Sequence, residues 1–151
     1  MSRRRWAQAG APLLVALAAG CASDAEPASD PADYRVELAT ICTASNAARA
    51  TLTDPVDDAG VAAFARSVAD VLTREADAAR ALRAPDDLDD DHRAFVQNTA
   101  DQAARWTSLA TTPIDDADEF GALQTDILQL TLGRDDLATT MEIPACRITP
   151  E

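Results

Sequence analysis

The feature that most constrains the fold is an apolar repeat at three- and four-residue spacing between residues 57 and 83. This spacing places side chains on one face of an α-helix, whereas a strand requires a two-residue alternation that no segment of the chain shows. Glycine is scarce, with 5 residues in 151. The sequence therefore predicts an all-α protein. The members of the repeat are Val61, Phe64, Ala65, Val68, Val71, Leu72, Ala76, Ala79 and Leu82.

Prolines divide the chain into four predicted helices. Pro55, Pro85 and Pro113 each follow an apolar periodic segment, and proline disfavours helical conformation in the residue before it. Gly133 is expected to fray or bend the last helix. The helices are predicted at about residues 33–52, 57–83, 86–110 and 115–137.

The lengths of these helices and of their connections predict an arrangement. Helices of about 20 residues are about 30 Å long, and short connections force neighbouring helices to run antiparallel. We therefore expect residues 33–151 to form an antiparallel up-down four-helix bundle, in which the end of the fourth helix lies beside the start of the first.

The N-terminal region has the pattern of an export signal. Arg3, Arg4 and Arg5 precede a short apolar stretch, which ends in Leu17-Ala18-Ala19-Gly20-Cys21. This pattern resembles the type II signal peptide of bacterial lipoproteins, although Ala18 stands where leucine is commoner. The resemblance implies that residues 1–20 are removed and that Cys21 carries lipid. The alternative is an ordinary secretory signal, with Cys21 a free thiol.

The lipoprotein resemblance and the neighbouring residues support further expectations. The resemblance implies that the protein is anchored through Cys21 at the outer face of the cytoplasmic membrane. Residues 21–32 are small and polar, with Pro27 and Pro31, and predict a flexible tether. The segment Ser2-Arg3-Arg4-Arg5-Trp6 also resembles the start of a twin-arginine signal, which would imply that the domain folds before export.

The net charge excludes one class of partner. Residues 1–20 contain three of the 13 arginines and none of the 26 acidic residues, so the processed chain has a charge of 10 − 26 = −16. This charge repels phosphate backbones and anionic headgroups. We expect no nucleic-acid partner, and membrane contact only through the lipid on Cys21.

Two cysteines follow the predicted lipidation site. An even number of cysteines in an exported domain indicates a disulfide, and Cys42 and Cys146 would close a loop of about a hundred residues. A metal site or a nucleophile is the alternative, but the additional Cys or His ligands at suitable spacing are missing. We therefore predict that a structural disulfide closes the bundle.

The acidic run Asp86–Asp91, followed by His92, is the candidate site for chemistry. Asp89, Asp91 and His92 are possible ligands for calcium or magnesium, but the run lacks the glycine and downstream glutamate of an EF-hand. The alternative, which we favour, is that the carboxylates cap the third helix and complement its dipole. His92 is the single histidine, and we expect it to be a hydrogen-bonded packing residue.

No cofactor is expected. Haem attachment would need Cys-x-x-Cys-His, and axial ligands would have to come from His92 and Met141; a di-iron site would need Glu-x-x-His on two helices. No serine or threonine occupies a recognisable nucleophile motif, so we predict that the protein is not an enzyme.

We therefore expect a non-enzymatic binding or interaction module whose ligand, a protein or a small molecule, is unknown. The alternative is a metal- or cofactor-binding protein or an enzyme near His92 and Asp86–Asp91. A sizeable apolar pocket that converges on His92 and two carboxylates would favour this alternative, and a bundle filled by side chains, with His92 exposed, would favour the module. The combination of acidic, alanine-rich helices with a cysteine after the last of them resembles small exported helical proteins of high-GC Gram-positive bacteria, which have no assigned activity.

Overall fold

The computed structural model describes residues 30–148, and within them it contains four α-helices, a short 3-10 turn and no strand. The helices are α1 (Pro31–Ala50), α2 (Asp58–Arg80), α3 (Asp89–Leu109) and α4 (Ala117–Thr140), and the 3-10 turn is Pro144–Cys146. The predicted all-α class with four helices is confirmed. The predicted signal at 1–20, Cys21 and the tether up to residue 29 lie outside the described residues.

The first helix begins earlier than predicted. Asp30 is its N-cap, and the Asp30 carboxylate accepts a hydrogen bond of 2.8 Å from the backbone amide of Ala32. Pro31 is tolerated at the first helical position because an amide proton there has no partner within the helix. The assignment of Pro31 and Ala32 to the tether is therefore wrong.

The other boundaries also differ from prediction. Helix α2 ends at Arg80 rather than at residue 83, and α3 begins at Asp89 because residues 86–88 form a turn. Gly133 does not interrupt α4, which continues to Thr140. A Cβ atom at Gly133 would lie 3.3 Å from Nδ2 of Asn98, so glycine permits the close approach of α3.

Helices α2 and α3 form the centre of the domain. The rings of Phe64 and Trp106 meet edge to face, with centroids 6.0 Å apart. Farther along α2, a buried cluster contains Val68 and Leu72 together with Ala103 of α3. Helix α1 packs against α2, and α4 packs against α3, whereas α1 and α4 have no direct backbone contact. The 3-10 turn packs against both of them.

The chain after α4 folds back onto the domain. Glu142 adopts a left-handed conformation (φ 60°), and the amide of Ile143 donates to the carbonyl of Ala138 at 2.8 Å. The sulfur atom of Cys146 thereby reaches disulfide-bonding distance from that of Cys42, as predicted. Nε of Arg35 donates to the carbonyl of Met141 at 2.9 Å, which holds the end of α4 beside the start of α1.

Within residues 30–148, no helix combines the length and the hydropathy that crossing a membrane requires.

Candidate functional site

His92 lies in the first turn of α3 and is buried, with 6% of its surface exposed. Its Nδ1 atom lies 2.9 Å from the hydroxyl oxygen of Tyr34 in α1, and the two rings meet edge to face. The Tyr34 hydroxyl also lies 3.9 Å from the sulfur of Met141. His92 therefore connects α3 with α1 and with the end of α4.

Both rings of this pair favour their neutral forms. Burial raises the pKa of Tyr34 to about 12, and the negative charge of Asp91 contributes in the same direction. Burial lowers the pKa of His92, and the nearby charge of Asp89 opposes this shift. A neutral imidazole that is hydrogen-bonded to a neutral phenol is suited to packing, and near neutral pH it carries no charge that must be compensated.

The lowered pKa of His92 predicts a loss of stability in acid. The unfolded chain binds the histidine proton more strongly than the folded one. The contribution of His92 to stability is therefore fully present above about pH 6.5 and is lost as the pH falls below that value. In the variant His92→Gln this component should be absent, and its melting temperature should decline less than that of the wild type between about pH 7 and pH 5. If the melting temperatures of the two proteins decline equally over this pH range, His92 is not the source of the acid sensitivity.

The acidic run does not converge on a common centre. Asp89 pairs with Arg93 at 3.2 Å, and Asp90 pairs with the same guanidinium. Throughout residues 30–148, no group of three or more His, Cys, Asp or Glu side chains is arranged to hold a metal ion. The structure thus does not bring the candidate ligands Asp89, Asp91 and His92 together as a set.

The expectation that this run caps α3 is also wrong. The N-cap residue is Leu88, and no side chain makes a capping hydrogen bond there. The residues Asp86 and Asp87 precede the helix in a turn, whereas Asp89–Asp91 occupy its first turn. At that position the three carboxylates still complement the positive end of the helix dipole, which does not require a direct hydrogen bond.

His92 lines an open cavity of about 680 Å³, with a mixed polar and apolar lining, between the end of α2 and the start of α3. Three arginines border it, together with Asp86 and Asp89. Two of them are engaged in ion pairs, Arg80 with Asp77 and Arg93 with Asp89 and Asp90. The cavity therefore brings two carboxylates beside His92, but its mixed lining is not the apolar pocket that would favour chemistry there.

A buried ion pair that the sequence analysis missed lies between α2 and α4. The guanidinium of Arg134 contacts both carboxylate oxygens of Glu75, at 2.5 and 3.0 Å, and the side chains of both residues have 0% exposure. Ser45 of α1 donates to Glu75 at 2.6 Å, and Nε of Arg134 donates to the carbonyl of Cys146 at 2.9 Å. The guanidinium also lies 5.1 Å from the ring centroid of Phe95. Each α-helix and the 3-10 turn thus contributes a group to this network.

Further charges surround the pair. Arg49 is half-buried, and its pKa is lowered by burial and by the charge of Arg134, while Glu75 and Asp135 oppose that shift. A carboxylate oxygen of Asp135 accepts from the amide of Ile148 at 2.7 Å. Arg134 and Asp135 thus both hold backbone groups of the C-terminal segment.

A second cavity, which we call the aromatic cleft, lies between α2, α3 and α4 beside the connection from α1 to α2. Its volume is about 600 Å³. The rings of Phe64, Trp106 and Phe120 line it, and Leu128, which is 53% exposed, lies on its border. The charged residue among the lining side chains is Asp58. The cleft thus offers an apolar surface that water can reach.

The aromatic cleft and His92 are too far apart to form one site. Trp106 lies about four turns beyond His92 on α3, or about 21 Å along the helix axis. The structure therefore has neither of the two expected arrangements, an apolar pocket at His92 or an exposed His92. An apolar cavity exists but does not converge on His92, and His92 is not exposed.

The chain was compared with protein-family models, with curated proteins and with solved structures, and none of them matches it.

Proposed function

We propose that this protein is a membrane-anchored exported lipoprotein that acts as a non-enzymatic binding module, with an apolar small molecule as the ligand of its aromatic cleft. The observation that carries this proposal is the cleft itself. A volume of about 600 Å³ falls within the usual range for small-molecule sites, and three aromatic rings supply the apolar lining that such sites have. Removing apolar surface from water supplies the driving force, about 25 cal/mol for each Å².

The proposed anchor joins the domain at the start of α1. Cys21 precedes Pro31 by about ten residues, which reach about 30 Å from the membrane when extended. Helix α1 then spans about 30 Å, and Pro55, in the connection that follows α1, borders the cleft. The cleft therefore lies at the end of the domain opposite to the start of α1, where the proposed tether joins it.

An antiparallel up-down order of the four helices belongs to this proposal. It is supported by the pairing of α2 and α3, in which Phe64, near the start of α2, meets Trp106, near the end of α3. At the other end, Ala79 of α2 shares a buried cluster with Phe95 of α3.

A reaction or a metal at His92 is the second candidate function, and the cavity of about 680 Å³ beside this residue is the observation that favours it. Tyr34 already occupies Nδ1 of His92, and Arg93 pairs with Asp89. Asp89 would have to leave its ion pair with Arg93 to take part in this function. Binding in the aromatic cleft breaks no ion pair that the described residues form.

Tryptophan fluorescence tests the proposal directly. Once residues 1–20 are removed, Trp106 is the single tryptophan of the chain, so its emission reports on the cleft. We use the processed chain, residues 21–151, with Cys21→Ser so that no lipid is attached. Titration with decanol should give a saturable shift of the emission, because the alkyl chain replaces water around the indole. A spectrum that does not change up to the solubility limit would contradict the proposal.

Two leucines one turn apart on α4 provide a matched pair of variants. Leu128 borders the cleft, whereas Leu132, 45% exposed, is not among the lining residues. Leu128→Ala should weaken decanol binding about five-fold, which corresponds to about 1 kcal/mol for a side chain that a ligand partly covers. Leu132→Ala should leave it unchanged. An equal effect of both substitutions would show that the probe binds elsewhere.

The proposed anchor has its own test. Cys21→Ala removes the attachment point of the lipid, so the variant should be released into the medium or left unprocessed. A protein with two acyl chains, by contrast, stays bound to the membrane. Fractionation and immunoblotting measure the distribution. A processed variant that still sediments with membranes would show that the lipid on Cys21 is not the anchor.

A further inference from the structure

We infer that the aromatic cleft selects ligands in which an apolar body carries a cationic group, such as a protonated or quaternary amine. This inference rests on the proposed function and adds the charge class of the ligand. Three properties of the described residues support it: the arrangement of the aromatic rings, the charge on the border of the cleft, and the type of side chain that the lining lacks.

Three aromatic rings line the cavity, and two of them meet edge to face rather than stacked. The planes of Phe64 and Trp106 are 73° apart, with centroids separated by 6.0 Å, and Phe120 lines the same cavity from α4. The face of an aromatic ring carries the negative part of its quadrupole and attracts a cation within about 6 Å. Because the three rings line the cavity, a cation bound in it lies close to aromatic surface.

The charges near the cleft are negative. Asp58, at the start of α2, lines it and is exposed, and neither Arg nor Lys is among the lining residues. Four acidic residues lie immediately before Phe120, at positions 115, 116, 118 and 119. The nearby guanidinium of Arg105 is paired with Asp126 at 3.3 Å. A ligand carboxylate would therefore meet repulsion here without a compensating cation, whereas an ammonium group would be attracted.

Three probes with the same alkyl chain test the inference. Decylammonium, decanol and decanoate, each below its micelle concentration, are titrated against Trp106 emission at low ionic strength. We expect decylammonium to bind about three- to ten-fold more tightly than decanol, and decanoate to bind more weakly than decanol. The advantage of the cation should shrink at high salt, because Asp58 is exposed and its charge is screened.

A pair of aspartates on α2 gives matched variants. Asp58 lines the cleft, whereas Asp70 is exposed about three turns farther along the helix and is absent from the lining. Asp58→Asn should reduce the preference for decylammonium over decanol about two- to three-fold. Asp70→Asn, which removes the same charge, should leave that preference unchanged. Circular dichroism verifies that both variants are folded.

The outcomes separate this inference from the proposed function. If decanol binds as tightly as decylammonium and Asp58→Asn changes neither affinity, the charge preference is overturned while the binding function stands. Tighter binding of decanoate than of decylammonium overturns it equally. If no probe shifts the emission of Trp106, both proposals fall, and a partner protein becomes the occupant to seek.

Discussion

Replacement of Arg134 by methionine should lower the free energy of unfolding by about 3–5 kcal/mol, because it leaves a buried carboxylate without its partner. Glu75 has 0% side-chain exposure, and two of its hydrogen bonds come from Arg134. The carbonyl of Cys146 loses a donor as well. Urea denaturation at neutral pH, followed by circular dichroism, measures the loss.

Two further variants show whether the loss comes from the burial of charge. The double variant Glu75→Leu, Arg134→Met should be more stable than Arg134→Met alone, since an apolar pair leaves no buried charge without a partner. Arg80→Met provides the surface control, because Arg80 pairs with Asp77 at the exposed surface and should contribute little. If Arg134→Met and Arg80→Met lower stability equally, the buried pair does not have the energetic role that its geometry indicates.

Removal of the disulfide is the second change for which we expect a large effect. Cys42 and Cys146 are 104 residues apart, and a bond between them restricts the unfolded chain over that whole length. The double variant Cys42→Ala, Cys146→Ala should therefore lose about 2–5 kcal/mol of stability. It should also loosen the C-terminal segment, in which the carbonyls of Ala145 and Arg147 accept from Asn46.

A reducing agent provides the control for this prediction. Reductant should lower the urea midpoint of the wild-type protein and leave that of the double variant unchanged. Alkylation under non-reducing conditions, followed by mass spectrometry, should find neither Cys42 nor Cys146 modified. Two alkylated cysteines in the native protein would show that the bond is absent and would reopen a redox or metal role for these residues.

The helices and the cysteine pair were predictable from the sequence. The helices depend on the local spacing of apolar residues and prolines, and the pair depends on the number of cysteines. The spacing of apolar residues across 57–83 requires a helix whatever its neighbours are, and Pro55, Pro85 and Pro113 must lie between helices. Pairing of Cys42 with Cys146 followed from the absence of any other cysteine beyond the predicted lipidation site.

The helix ends were less predictable, because several side chains compete for the same role. Pro31 was interpreted as part of a tether, although proline is equally compatible with the first position of a helix. The run Asp86–Asp91 contains more potential caps than one helix start can use. The backbone of the preceding turn decides which residue is the N-cap, and this residue is Leu88.

The sequence by itself determined that this protein has four helices and that Cys42 and Cys146 can pair, because periodicity, proline and the number of cysteines act without reference to distant contacts. Glu75 and Arg134 also occupy positions that continue the apolar spacing of their helices, which was a signal of burial. Only the tertiary structure decided that they neutralise one another, since they are 59 residues apart along the chain. It alone decided that Phe64, Trp106 and Phe120 line an open cleft, because these rings come from three different helices and remain partly exposed.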